Sequence, residues 1–306
     1  MLPVAGLAAG LLLVTVATTT IVGFRGATSP SGGGSTGMPD SATGATSAAA
    51  STAVAINPSR TVTPSKPPPV AAPARFITLG PCTKLPSGAQ CAAWVREKSY
   101  PESKGANRSA NQKTGHHLGA NFFSSDEPRA NSFMAPRVDG QFTGTTRQIL
   151  RWAACKWGID EDLVLAQAAI ESWWQQGTLG DWTTDIARCA PGRGLGADGK
   201  PGQCPESFGI LQNRYPYEQS AWPGIAYSTA MNADVAYAIR RTCFEGYERW
   251  LNTVERGREY AAGDAWGCIG RWFSGRWHTP ASEEYVGRVR GYLDQRIWET
   301  QGFQQP

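Results

Sequence analysis

Apolar residues recur at helical spacing through the second half of the chain and predict a mainly α fold. Two adjacent amphipathic helices are expected between Thr145 and Gly177, with Gly158 separating them. Asp160 is a natural N-cap for the second helix, and Gly177 is a natural stop for it. Further helices are expected in three segments, TAMNADVAYAIRRTCFEGYERWLN, DAWGCIGRWF and SEEYVGRVRGYLDQRIW. No alternation of apolar and polar residues indicates a strand after residue 145.

The stretches outside these helices are long. About fifty residues, rich in Gly and Pro, separate the second helix from the third, and such loops are uncommon unless they are functional or cross-linked. Residues 76–144 are weakly patterned, with one short helix expected in AQCAAWVREK. The pattern therefore predicts a cysteine-containing N-terminal extension of unknown role over 76–144. A helical domain with long stapled loops is expected over 145–306.

The amino-terminal segment is apolar. Residues 2–24 carry no charge, and a helix of this length would span about 34 Å, enough to cross a bilayer. A retained membrane anchor is favoured over a cleaved signal, because no basic residue precedes Arg25 and no good A-x-A site is present. A buried core helix is least favoured. Either leading interpretation of residues 1–25 predicts a location in the cell envelope, outside the cytoplasm, with the protein anchored to the membrane or secreted.

Residues 26–75 are predicted to be a disordered linker. Between 26 and 74 there is no aromatic residue, and 40 of the 49 residues are Ser, Thr, Gly, Ala or Pro, too few apolar side chains to offset the entropy of ordering. The remaining residues, 76–306, carry 25 Lys and Arg against 24 Asp and Glu. This balance excludes a strongly basic domain and predicts no nucleic-acid partner.

Seven cysteines in an exported chain predict disulfides. Separations of 9 and 15 residues favour the pairs Cys82–Cys91 and Cys189–Cys204, and Cys243–Cys268 is the third preferred pair. Cys155 is then left as a buried thiol, although spacing alone leaves other pairings open. No CxxC or Cys/His cluster has the spacing of metal ligands, and the pair His116–His117 is better explained as solvated loop residues. Neither a metal nor a cofactor is expected.

Glu171 is the strongest candidate for chemistry. It lies at the edge of the apolar face of the second helix, near the carboxyl end, and two tryptophans follow at Trp173 and Trp174. Burial and the negative end of the helix both disfavour a carboxylate, so its pKa should be raised. A glycosidase general acid needs that state near neutral pH. From position alone, a solvated glutamate on the helix rim is the alternative.

Four motifs occur in one order along residues 145–298. They are an apolar helix that ends in Glu-Ser, a Gly-Ile-Leu-Gln segment, an Asn within a helix, and Tyr-Val-x-x-Val. In this chain the motifs are Glu171 and Ser172, Gly209 to Gln212, Asn232, and Tyr285, Val286 and Val289. Their order resembles the soluble lytic transglycosylase family of the lysozyme-like superfamily. Each motif is weak alone, but four in order at sensible distances are fairly specific.

The resemblance implies a lysozyme-like fold and cleavage of the β-1,4 bond between N-acetylmuramic acid and N-acetylglucosamine in peptidoglycan. Glu171 is expected to protonate the leaving oxygen and then to accept a proton from the muramic 6-hydroxyl, which leaves a 1,6-anhydro end. The N-acetyl group of the substrate would replace a second carboxylate. The partners implied are glycan strands, and the membrane through the amino-terminal segment. The residues expected to bind the glycan are Ser172, Ser207, Gln212, Asn232, Trp272 and Tyr285.

The chain departs from this family at the Ala-Tyr-Asn motif, where Trp272 stands in place of Tyr and Phe273 in place of Asn. An indole donates a hydrogen bond but does not accept one. The motif therefore leaves the orientation of Glu171 open.

Two other functions are kept as alternatives. A lysozyme-type muramidase would need a second carboxylate, for which Asp181, Asp185 and Glu206 are candidates. An inactive module that binds or assembles the cell wall is favoured only by the altered motif.

Overall fold

The computed structural model describes residues 75–119, 121–124, 127–252 and 259–304. The predicted anchor and nearly all of the predicted linker lie outside these residues. No helix within the described ranges is both long and apolar enough to cross a membrane. The described residues belong to one compact unit, about half of it helical, and the fold is mainly α as predicted.

Three long helices form the centre of the molecule. They are α4 (Thr146–Trp157), α5 (Glu161–Ser172) and α7 (Thr229–Phe244), and α4 packs against both of the others. Gly158 ends α4 in the left-handed region at φ 60°, and the Asp160 side chain accepts hydrogen bonds from the N–H groups of residues 162 and 163. Gly158 therefore ends α4 and Asp160 begins α5, as the sequence predicts.

The second helix ends earlier than expected. Its last residue is Ser172, and Trp173 takes the left-handed conformation at φ 56° that was expected only of Gly177. The indole N–H of Trp174 donates to the Leu165 carbonyl at 2.9 Å, so the turn is held by a buried tryptophan that folds back on the helix. The third expected helix likewise ends at Phe244 and does not run to residue 252.

The remaining helices complete a shell around this centre. α8 (Ala265–Ser274) begins at the N-cap Asp264 and ends at Gly275, and α9 (Pro280–Asp294) packs on both α5 and α8. The shorter helices are α1 (Gly88–Arg96), α2 (Arg108–Asn111), α3 (Pro128–Phe133), α6 (Gly224–Tyr227) and α10 (Gln301–Gln304).

The stretch before residue 145 is part of the same core. Trp94 and Val95 of α1, together with Val138 and Phe142, are buried in one hydrophobic cluster with side chains of α4, α5 and α7. Just before this stretch, Arg75 pairs with Asp160 at 2.7 Å. The described part of residues 76–144, which lacks a strong pattern of its own, is therefore ordered by packing on the helices that follow it.

A small sheet corrects the expectation that no strand follows residue 145. β1 (Leu179–Thr183), β2 (Cys204–Phe208) and β3 (Asn213–Arg214) form an antiparallel sheet in that order. β2 is buried at every position, so its sequence, CPESF, has no alternation to reveal it. β1 and β3 are short and only partly buried.

Three disulfides cross-link the described residues. Cys189–Cys204 and Cys243–Cys268 are the expected pairs. The expected pair Cys82–Cys91 is wrong: Cys91 is bonded to Cys155, because α1 packs on α4 and brings their Cα atoms to 5.6 Å. Cys82 is the exposed free thiol, and Cys155 is not a buried thiol. Three disulfides are consistent with an extracytoplasmic protein.

Candidate active site

Glu171 lies in a cleft of about 770 Å³. One wall comes from Gly180 and Asp181 of β1 and from Gln212 in the turn between β2 and β3, and the end of α8 supplies another through Trp272. The remaining lining residues come from the loop before α3, from β3 and the segment after it, from α7 and the loop after it, and from α8 and its C-cap. They are Phe122, Phe123, Ser124, Glu127, Arg214, Tyr217, Glu218, Ile239, Glu248, Trp250, Arg271, Phe273, Ser274 and Gly275.

The Glu171 carboxyl is held by a chain of hydrogen bonds across two helices. The hydroxyl of Tyr285, on α9, donates to Oε1 of Glu171. Nε2 of Gln167, one turn earlier on α5, lies 3.4 Å from the Tyr285 hydroxyl oxygen and donates to it. Because Tyr285 is 3% exposed and cannot turn away, it fixes the direction of the carboxyl.

Burial raises the pKa of Glu171 from its ordinary 4.5 to about 7. Hydrogen bonds from Tyr285 and Trp272 and the positive charge of Arg240 act in the opposite direction, while Asp181 adds a small increase. The sequence led us to expect this rise for the same main reason, desolvation. Near neutral pH the group is therefore divided between the acid and its conjugate base, which general acid–base catalysis requires.

Trp272 and Phe273 form the aromatic side of the cleft. The indole N–H of Trp272, the only donor of that side chain, is near enough to Glu171 to lower the pKa of the carboxyl. Phe273 is 51% exposed and stacks on the Tyr285 ring at 4.8 Å with the two planes 3° apart. The departure from the family motif thus leaves Glu171 oriented, through Tyr285, and adds an exposed aromatic face that sequence reasoning missed.

Gln212 borders the cleft beside Gly180. Its Nε2 donates to the carbonyls of Gly209, at 2.8 Å, and Thr178, at 3.2 Å. Its Oε1 lies so near to where a Cβ on Gly180 would stand that the two atoms would overlap, and only glycine fits at position 180 in this arrangement. These contacts hold the amide against the wall of the cleft, consistent with its expected role in substrate binding.

Two of the residues expected to bind glycan are structural in this fold. The Ser172 hydroxyl donates to the Ile210 carbonyl at 2.8 Å, within the core. The Asn232 side chain is fully buried and bonds to the backbone of Phe208, Leu211 and Ile225. Neither residue lines the cleft; both instead fix the turn that carries Gln212. Their polar side chains serve buried backbone groups, which need partners in any fold.

The three candidate second carboxylates occupy different positions, and Ser207 contacts one of them. Asp181 lines the cleft and accepts a hydrogen bond at 2.5 Å from the buried Ser207 hydroxyl. Asp185 caps a short turn by accepting from the Ala187 N–H at 3.0 Å. Glu206 is buried under Arg188 and Arg214, whose hydrogen bonds lower its pKa. Of the three candidates, Asp181 is the one placed in the cleft with Glu171.

Three further aromatic residues differ in their position relative to the cleft. Tyr217 lines the cleft and is 65% exposed. Trp173 packs against Tyr292 and Phe303, and Trp222 packs against Phe208, so neither faces the cleft.

Two buried acids in the cleft were not expected from the sequence. Burial raises the pKa of Glu218 to about 8 and that of Glu248 to about 7. Glu248 pairs with Arg271 at 2.6 Å. Both acids lie in irregular segments between helices, where no periodicity signals burial.

No family model matches the chain, and searches of curated proteins and of solved structures return no match either.

Proposed function

We propose that the chain is a lytic transglycosylase of lysozyme-like fold that cleaves the β-1,4 bond between N-acetylmuramic acid and N-acetylglucosamine in peptidoglycan. The observation that carries the proposal is Glu171 itself: a carboxyl in a large cleft, with a pKa of about 7, oriented by Tyr285. Such a group can both give and take a proton at neutral pH.

In the proposed reaction Glu171 is the acid and then the base. Its proton passes to the glycosidic oxygen as the bond from that oxygen to the muramic C1 breaks. The substrate's N-acetyl group stabilises the positive charge at C1. The muramic O6 then bonds to C1, and its proton returns to the Glu171 carboxylate. At the end of the reaction Glu171 is protonated again and no water has been consumed. The product carries a 1,6-anhydro end.

The surroundings of Glu171 support this sequence of steps. The Tyr285 and Trp272 hydrogen bonds favour the carboxylate, which forms after the first proton transfer, so they lower the cost of that step. Gln212 is placed to bind an amide or hydroxyl, and Phe273 and Tyr217 offer flat apolar faces to a pyranose ring. The disulfides fit the extracytoplasmic location of such a substrate.

A lysozyme-type hydrolase is the second candidate, and Asp181 favours it. This carboxylate shares the cleft with Glu171 and is close enough to affect its pKa. In a hydrolase it would act as nucleophile or activate water. Its side chain is 54% exposed, so a sugar or a water molecule can reach it for either role.

Mass spectrometry of muropeptides released by the purified protein separates the candidates. The transglycosylase predicts 1,6-anhydro ends, lighter by one water than hydrolase products, and an Asp181→Asn variant that keeps most of its activity. Reducing ends together with an inactive Asp181→Asn variant would establish the hydrolase. If the wild-type protein released nothing while Glu171 was intact, an inactive cell-wall module would be the better account.

A further inference from the structure

Glu218 is a second buried carboxyl of the cleft that the proposed reaction does not use. It lines the cleft, is 8% exposed, and its Oε2 has no hydrogen-bond partner. Desolvation raises the pKa of Glu218 to about 8 and outweighs the attraction of Arg271 and Arg214, so the acid stays largely protonated at neutral pH. A buried polar atom without a partner costs stability, and a ligand that supplies the partner recovers it.

The charges near Glu218 determine which ligand suits it. Arg271 is already paired with Glu248, and Arg214 with Glu206, so neither guanidinium neutralises Glu218 by contact. Acids outnumber bases among the described side chains that line the cleft: Glu127, Glu171, Asp181, Glu218 and Glu248 stand against Arg214 and Arg271. As the buried acids of this set ionise with rising pH, the cleft becomes increasingly negative, and a negative cleft attracts cationic groups.

We propose that the Glu218 side of the cleft binds a primary ammonium group carried by the glycan substrate. The described residues contain no cluster of His, Cys, Asp or Glu side chains arranged to hold a metal ion, so the favoured cation is organic. The inference rests on the proposed function, because peptidoglycan offers such groups in two places. One is an amino sugar that lacks its acetyl group, and the other is a free amine of a stem peptide.

The binding step exchanges a proton for the ligand's charge. The protonated Glu218 carboxyl releases its proton to the buffer, and the ammonium group then pairs with the carboxylate. No covalent bond changes in the ligand. Affinity for a stem-peptide amine, which stays charged over this range, should therefore rise as the pH increases from 6 to 8 and should fall as salt screens the cleft. The less basic amine of glucosamine loses its charge over the same range, so its affinity should pass through a maximum.

Isothermal titration tests the proposal with the intact chain carrying Glu171→Gln, so that no ligand is cleaved. The probes are the hexamer of glucosamine, whose amines are partly protonated at pH 7, and the hexamer of N-acetylglucosamine. A charge-assisted hydrogen bond predicts a preference of about tenfold or more for the glucosamine hexamer at pH 7. Titration in two buffers of different ionisation enthalpy should also show about one proton released per Glu218 occupied.

A second substitution, Glu218→Gln, should abolish both the preference and the proton release. Gln resembles the protonated acid, so folding should be retained. Glu284→Gln is the matched control, since Glu284 is exposed on α9 and does not line the cleft; it should change neither quantity.

A second pair of probes identifies the source of the ammonium group. Muropeptides with a free stem amine are compared with the same muropeptides after acetylation of that amine. A preference only for the free amine assigns the site to the stem peptide, and a preference only for glucosamine assigns it to the sugar. The proposal is wrong if neither pair shows a preference, or if Glu218→Gln keeps it.

Turnover of peptidoglycan by the wild-type chain separates this inference from the proposed function. Cleavage without any ammonium preference would contradict the ammonium site at Glu218 and leave the proposed transglycosylase activity intact. An ammonium preference without cleavage would contradict the proposed enzyme activity and leave the ammonium-binding site intact.

Discussion

The Tyr285 hydroxyl donates a hydrogen bond to Oε1 of Glu171 and so joins α9 to the last turn of α5. The two residues are 114 positions apart in the chain. Gln167 supports the same hydroxyl from one helical turn below Glu171. The direction of the candidate acid is therefore set by packing between two helices, and its pKa is set partly by the same bond.

Replacing Tyr285 by Phe should move the pH dependence of activity upward. The hydroxyl stabilises the Glu171 carboxylate, so its loss raises the pKa of Glu171 above about 7. The basic limb of kcat/KM, where the acid loses its proton, should shift to higher pH, and kcat should fall because the carboxyl is less well oriented. Tyr292→Phe is the control, since Tyr292 packs against Trp173 and not against Glu171. A limb that stayed in place or moved down would contradict this role for Tyr285.

Replacing Glu171 by Gln should remove activity and increase stability at alkaline pH. Loss of a sole acid and base predicts a drop of about two to four orders of magnitude in kcat. The stability effect follows from the raised pKa. Below pH 4.5 the group is protonated in both folded and unfolded chains and has no effect. Between 4.5 and about 7 the unfolded chain ionises first, so wild-type stability falls as the pH rises.

Above pH 7 the loss of wild-type folding stability is complete and amounts to about 3 kcal/mol. The Glu171→Gln variant avoids this loss, so it should unfold at a higher denaturant concentration than wild type at pH 8 and at nearly the same concentration at pH 4. Chemical denaturation at the two pH values checks both results. Equal midpoints at pH 8 would show that the Glu171 carboxyl is not desolvated.

Gly180→Ala should impair substrate binding with little effect on folding. The added Cβ would overlap Oε1 of Gln212, and the Gln212 side chain would have to move out of its place in the cleft. We expect KM to rise severalfold. Gly177→Ala is the matched control, because a Cβ there meets nothing within 4 Å. Identical kinetics for both variants would show that Gln212 does not take part in substrate binding.

Replacing Cys243 and Cys268 by Ser should cost stability and activity together. The bond closes a separation of 25 residues, which corresponds to about 3–4 kcal/mol in the chain-entropy model. It also ties α7 to α8, the helix that carries Trp272 into the cleft. Loss of Cys189–Cys204, with a separation of 15, should cost about 3 kcal/mol. Denaturant midpoints measure both, and unchanged midpoints would mean that the bonds do not constrain the unfolded chain.

The sequence was most informative where one segment determines its own structure. Asp160 and Gly158 bound their helices because capping is local, and the raised pKa of Glu171 follows from a position on an apolar helix face. Long-range packing determined the rest. Cys155 meets Cys91 only because two helices pack, and Asn232 faces the backbone of a turn some twenty residues earlier. No pattern within one segment contains that information.

The acidic part of the cleft illustrates the same limit. Glu218 and Glu248 are drawn into one cavity by loops whose sequences are polar and irregular. In such segments a glutamate is normally assigned to the solvent. Phe273, by contrast, stands out in the sequence as a departure from a motif. Its stacking on Tyr285 depends on the packing of α8 against α9, which the sequence does not show.

The shared core of the early stretch and the helical domain limits how this molecule can be divided. Phe122 and Phe123 line the cleft, and α1 is bonded covalently to α4. A fragment begun at Thr145 would lose one wall of its binding site and leave a face of α4 uncovered. For expression, grafting or exchange between proteins, the smallest portable piece therefore starts no later than Arg75, and the helices that carry the candidate site cannot be transferred without the segment that precedes them.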